Sequence, residues 1–146
     1  MKVSTKGRYA LRIMIDLAEN GKEGFVPLKD IGERQDITVK YLEQIISLLS
    51  KADLVIGTRG NGGGYKLSRK PSEYKIGDIF RASEGSFETS PCLSAEGCER
   101  KSGCKAADFW SGLEKAVYEY LDGRTLEELV NSGRAPARKD PSIWIL

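Results

Sequence analysis

Four of the seven residues from Thr58 to Gly64 are glycine, and this turn lies between two short apolar runs. Leu54-Val55-Ile56 before it and Tyr65-Lys66-Leu67-Ser68 after it read as two strands of one hairpin. Glycine enters backbone conformations closed to other residues, so the chain can double back tightly here. A rival reading of GNGGGY is a loop that cradles a nucleotide phosphate. It lacks the GxxxxGK[ST] pattern, and no helical period follows at once. A plain flexible hairpin is the other alternative.

The residues before the hairpin are helical in period. Ser4 and Thr5 are candidate N-caps for a first helix over Thr5–Glu19, with Ala10, Ile13, Met14 and Leu17 on one face. Gly21 and Gly24 end it. Phe25-Val26 suits a short extended piece, and Pro27 suits the first turn of a helix over Leu28–Arg34. Gln35-Asp36-Ile37 is a tight connection. Thr38 then caps a third helix, Val39–Lys51, with Leu42, Ile45, Ile46 and Leu49 inward. Its other side carries Lys40, Glu43, Gln44 and Ser47, with Tyr41 at the edge. A short helix, a tight turn and a longer helix with a polar face match a helix-turn-helix, whose second helix enters the major groove. A hairpin directly after it is a wing, with Arg59 at its tip. Tyr74–Ala82 is expected to be a fourth helix, ended at Glu84-Gly85-Ser86. The expected fold class is therefore mainly α with a small β-hairpin: a winged helix-turn-helix domain followed by a long dimerisation helix.

Charge agrees with a polyanion reader at the N-terminal side. Residues 1–75 hold 14 Lys+Arg against 9 Asp+Glu, a net of +5, whereas residues 76–146 hold 9 against 12, a net of −3. Lys2, Lys6, Arg8, Lys40 and Lys66 are candidates to neutralise DNA phosphates. No apolar run approaches the ~20 residues that span a bilayer, and no signal-peptide pattern opens the chain, so no membrane partner and a cytoplasmic location are expected.

All three cysteines fall in one stretch, PCLSAEGCERKSGC, where Cys92, Cys98 and Cys104 are separated by five residues each time. An odd, clustered set in a reducing compartment points to metal binding or redox sensing rather than a disulfide framework. The chain has no histidine, which removes His-based metal sites and His general bases together. No catalytic constellation is visible, so an enzyme is not expected. After Cys104, Ala106, Trp110, Leu113, Val117 and Tyr120 step by four, three, four and three. Phe109, Ala116 and Leu121 widen the stripe. A core helix would show the same pattern, but a dimer seam is the preferred reading because the winged module is already complete. Thr125 caps a last short helix to Val130. Asn131–Pro141 reads as a mobile segment, and Ile143-Trp144-Ile145-Leu146 as an apolar end that docks on this or a neighbouring subunit. The expected divisions are 1–84 (DNA-binding domain), 85–104 (cysteine loop), 105–131 (dimer helix and short helix) and 132–146 (tail).

The stretches STKGRYAL, VPLKDIGERQDIT, KYLEQI and RGNGGGY, taken with the three cysteines in that order, resemble the IscR-type regulators of iron–sulfur cluster biogenesis. These are bacterial winged-helix transcription factors, and the resemblance covers roughly residues 1–131. It implies a homodimer that binds promoter DNA and carries an iron–sulfur cluster of the 2Fe-2S kind. DNA contacts carried over by position would fall on Tyr41, Glu43, Gln44 and Arg59, with Glu43 helping to choose between classes of site; Lys40, as a phosphate neutraliser, and Gly60 and Gly62, as points of close backbone approach, complete the expected set from the residues themselves. Cluster ligands would fall on Cys92, Cys98 and Cys104. The familiar fourth ligand is a histidine three residues on, and Ala107 stands there instead. Asp108 is the favoured substitute. Glu96, Glu99 and an exogenous ligand are alternatives, and Arg8 is unsuited. The implied function is a repressor or activator that senses cluster status. A thiol- or nitric-oxide-sensing regulator of the same fold is the second reading. A small metal-binding or electron-transfer module is the third.

Overall fold

The structure is a computed structural model, and it describes residues 2–86, 88–94 and 96–133. The expected tail from residue 134 onward lies outside the described residues. Chain order is α1 (Thr5–Asn20), α2 (Leu28–Gln35), α3 (Val39–Lys51), β1 (Val55–Thr58), β2 (Gly64–Leu67), α4 (Ile76–Glu84), α5 (Ala107–Asp122) and α6 (Leu126–Val130). The architecture is the winged helix-turn-helix with a trailing helix. Helix α3 has the bounds read from its period, and its cap is the expected one: the Thr38 hydroxyl accepts from the Tyr41 N–H at 3.3 Å.

One core unites α1, α3 and α4. Ile13, Met14 and Leu17 of α1 meet Leu42, Ile45, Ile46 and Leu49 of α3, with Ile31, Ile79 and Leu126 closing the cluster, all essentially without solvent contact. Burying each such side chain stabilises the fold by roughly 1.5–3 kcal/mol. The hairpin pairs Val55 with Leu67 through to Thr58 with Gly64. Phe25-Val26 supplies a third extended piece, since Val26 and Tyr65 exchange two backbone hydrogen bonds of 2.8 Å. The wing is thereby attached to the segment that leads into α2. Strand β1 starts one residue later than Leu54 and runs on to Thr58, and β2 starts at Gly64 and ends at Leu67.

Helix α4 is displaced from its expected position by two residues. Tyr74 is extended, not helical, and α4 runs on through Glu84 before Gly85 turns left-handed at φ 76°. The reason is tertiary. Tyr74 is fully buried, and its hydroxyl donates to the Leu54 carbonyl at 2.7 Å while accepting from the Ser68 and Arg69 N–H groups at 2.9 and 3.0 Å. Its carbonyl accepts from the Leu126 N–H at 3.1 Å. One side chain and its peptide thus tie the base of the wing to α6.

Between α1 and α2 the buried Asp16 carboxylate accepts from Arg34 Nε and Nη2 at 3.0 and 2.7 Å and from Gln35 Nε2 at 2.9 Å. The bonds to Asp16 hold the Arg34 pKa above its ordinary value. Asp36 then adopts φ 56° in the turn to α3, a left-handed conformation that Asp tolerates better than most residues.

Tyr74→Phe leaves one carbonyl and two N–H groups at the wing base without their shared partner. We expect a loss of about 1–3 kcal/mol, read as a lowered midpoint in urea unfolding at unchanged slope. An unaltered midpoint would remove the hydroxyl from this role.

Candidate nucleic-acid interface and cysteine loop

Helix α3 presents Lys40, Glu43, Gln44 and Ser47 to solvent while its other face is in the core. Tyr41 is half-buried and packs edge-on against Tyr9 of α1, with ring centres 5.7 Å apart. The Arg12 guanidinium lies 5.1 Å from the Tyr9 ring centre and donates to both the side chain and the carbonyl of Gln35. The orientation of α3 is therefore fixed from α1 and α2 as well as from the core. On the wing, Arg59, Gly60, Asn61 and Gly62 are exposed, and Gly60 and Gly62 take φ 92° and 74°. A side chain is strained at either position, so the glycines create a narrow tip with Arg59 projecting beside them. Lys66 lies farther back, 4.7 Å from the Phe25 ring centre. The sequence-expected reading face and the wing tip thus exist as exposed surfaces on adjoining elements.

The N-terminus of α1 carries a contact that period and spacing did not reveal. The Glu84 carboxylate, on the last residue of α4, accepts from the Ser4 N–H at 2.9 Å, the Ser4 hydroxyl at 2.5 Å and the Gly7 N–H at 3.1 Å. A negative charge at a helix start is favoured by the helix dipole. A Cβ on Gly7 would stand 2.3 Å from Glu84 Oε1, so a larger residue there would displace the Glu84 carboxylate from the helix start. A second such pair anchors the trailing helix. Arg81 of α4 donates two parallel bonds, of 2.9 and 2.7 Å, to Asp122 at the end of α5. A Cβ on Gly77 would fall 1.9 Å from Asp122 Oδ1. The Arg81 bonds hold Asp122 below the usual carboxylate range. The contribution of this pair is present above the ordinary carboxylate pKa and is lost as pH falls through the lowered one.

Helix α5 has no fully buried residue. The expected seam divides in two. Trp110, Leu113, Val117 and Leu121 are half-buried on the side that meets α4 and the start of the cysteine loop. Ala106, Phe109, Ala116 and Tyr120 are exposed, Phe109 and Tyr120 by 65% and 64%.

The cysteine loop is held by short-range turns. Leu93 N–H bonds to Ser90 C=O, Gly97 to Ser94, Lys101 to Cys98 and Gly103 to Arg100, at 2.9–3.1 Å. Two single turns of 3-10 helix, Pro91–Leu93 and Lys101–Gly103, are its regular structure. Cys92 is half-buried, Cys98 and Cys104 are exposed, and all three thiols are free. Asp108 is exposed in the first turn of α5. Among the described residues no three His, Cys, Asp or Glu side chains come together as a metal-binding group. The donors suit an iron–sulfur group chemically, since such clusters take thiolates and these thiols are unpaired and accessible. Their convergence would require the loop to rearrange about its local turns.

A family model described as "Iron-dependent Transcriptional regulator", Rrf2, matches residues 3–132. The chain belongs to the Rrf2 family. Among its Rrf2 relatives, the HTH-type transcriptional regulator IscR of Aliivibrio salmonicida is 44% identical over 130 residues, covering 89% of this chain and 77% of the relative. IscR of Pectobacterium carotovorum is 41% identical over 132 residues, covering 90% and 80%. Two solved structures are similar throughout. CymR, the global cysteine regulator of B. subtilis, matches with a TM-score of 0.77 at 39% identity over 92% of this chain and 99% of its own. IscR of T. potens matches with a TM-score of 0.73 at 38% identity over 99% and 97%. The chain is thus an IscR-type, DNA-binding transcriptional regulator of the Rrf2 family. Its relatives are regulators and not enzymes. No helix among the described residues is long and apolar enough to cross a membrane.

Proposed function

We propose that this regulator acts as a homodimer, reads promoter DNA with α3 and the wing, and senses iron–sulfur cluster status through a 2Fe-2S cluster in the cysteine loop. The observation that carries the reading is the placement of three free thiols on the loop that joins α4 to α5. That loop lies between the reader and the helix that exposes Phe109 and Tyr120. Gln44 can pair bidentately with adenine, Glu43 can accept from a cytosine amino group, and Arg59 suits a narrow minor groove. Lys40, Tyr41, Gly60 and Gly62 complete the contact set. Phe109, Ala116 and Tyr120 form the surface for the second copy. A symmetric pair would set two recognition helices on half-sites about one helical turn apart.

Cys92, Cys98 and Cys104 would hold the cluster, with Asp108 as the fourth ligand. When bound, the cluster supplies a redox-active and labile centre whose loss is the signal. The chain's own residues do the rest. Glu84 ends α4 eight residues before Cys92 and holds the start of α1; α1 in turn packs Tyr9 on Tyr41 of the reader. Rearrangement of the loop therefore has a short physical route to the recognition helix.

The DNA half of the reading is tested on a promoter fragment at several salt concentrations. Gln44→Ala should weaken specific binding by about 1–3 kcal/mol and relax base preference. Arg59→Ala should also weaken it, with a shallower salt dependence. Retained affinity and slope in both variants would move the interface elsewhere. The ligand assignment is tested by anaerobic iron and sulfide analysis. Wild type should hold equal amounts of both with visible absorbance. Asp108→Ala should lose them about 10–100-fold more readily to a chelator, in the range found when a metal site loses a supporting group. Identical retention would exclude Asp108.

A further inference from the structure

We infer that Thr89 is a positioning residue of the cysteine loop, its hydroxyl donating a hydrogen bond to a sulfur of the bound cluster or of Cys92. This rests on the cluster reading above. Thr89 is 8% exposed, and its Oγ1 is buried with no hydrogen-bond partner. It is the one such side-chain atom found among the described residues. Buried hydroxyls nearly always have partners, and one left unpaired is destabilising and calls for an explanation.

The position supplies one. Thr89 immediately precedes Ser90, whose own buried hydroxyl accepts from the Cys92 N–H at 3.2 Å and caps the turn that carries Cys92. Ser90 thus sets the Cys92 backbone, while Thr89, three residues before the thiol, keeps its donor free. The turn Pro91–Leu93 packs against α5, which encloses this end of the loop, whereas Cys98 and Cys104 are open to solvent. An acceptor brought in by a change in the loop would satisfy Thr89. Thiolate and sulfide are such acceptors, and hydrogen bonds to cluster sulfurs raise reduction potential and help retain the cluster.

The test compares wild type, Thr89→Val and Thr89→Ser as full chains, reconstituted anaerobically with ferrous iron and sulfide. Valine matches threonine in shape and lacks the donor, and serine keeps it. In the metal-free state Thr89→Val should melt at or above the wild-type temperature, because it removes an unpaired hydroxyl. In the loaded state it should lose the cluster to a chelator about tenfold faster, and its midpoint potential should move negative. Thr89→Ser should stay near wild type in both. Loaded wild type and Thr89→Val with the same potential and the same loss rate would overturn the role of Thr89 while leaving the cluster in place. A metal-free Thr89→Val that melts several degrees lower would also overturn it, since the hydroxyl would then be paired without the cluster. Wild type that takes up no iron or sulfide would overturn both readings together.

Discussion

The Tyr74 hydroxyl is the point on which the winged domain depends. A two-stranded hairpin is only marginally stable by itself. Here its base is closed by one buried oxygen that serves the Leu54 carbonyl and the Ser68 and Arg69 N–H groups. Its far side is extended by Val26. The same residue receives α6 through its carbonyl. The base of the wing is consequently joined to the core, with Arg59 at its exposed tip.

Two ion-based contacts then connect the cysteine loop's flanks to that domain. Glu84 closes α4 and caps α1, and Arg81 binds Asp122 at the far end of α5. Both use a glycine on the facing turn for close approach. The C-terminal end of α5 is thereby fixed on α4. Its N-terminal end follows directly from the cysteine loop.

Local pattern was enough for the reading helix and the hairpin. The bounds of α3 follow from its apolar period and the Thr38 cap, and the wing turn follows from its glycines. Long-range chemistry was not legible. Tyr74 has the composition of a helix start, but its buried hydroxyl bonds and the pairing of Tyr74–Ile76 with Arg124–Leu126 hold it extended. Gly7 and Gly77 look like ordinary helical glycines until the carboxylates of Glu84 and Asp122, 77 and 45 positions away, are placed against them. The heptad-like stripe of α5 did not show that Trp110 faces the chain itself while Phe109 and Tyr120 face solvent. Cysteine spacing put forward a candidate donor set, but the packing that buries Thr89 is a property of the folded loop.

The central claim is that the state of the cysteine loop controls the DNA reader. Its most direct measurement is anaerobic binding of the full chain to a set of promoter sites, with and without cluster loading. Wild type is compared with a variant in which Cys92, Cys98 and Cys104 are all alanine. The account predicts that loading shifts the affinity or site preference of wild type and leaves the variant unmoved. Equal affinity and equal preference for loaded and metal-free wild type would contradict it.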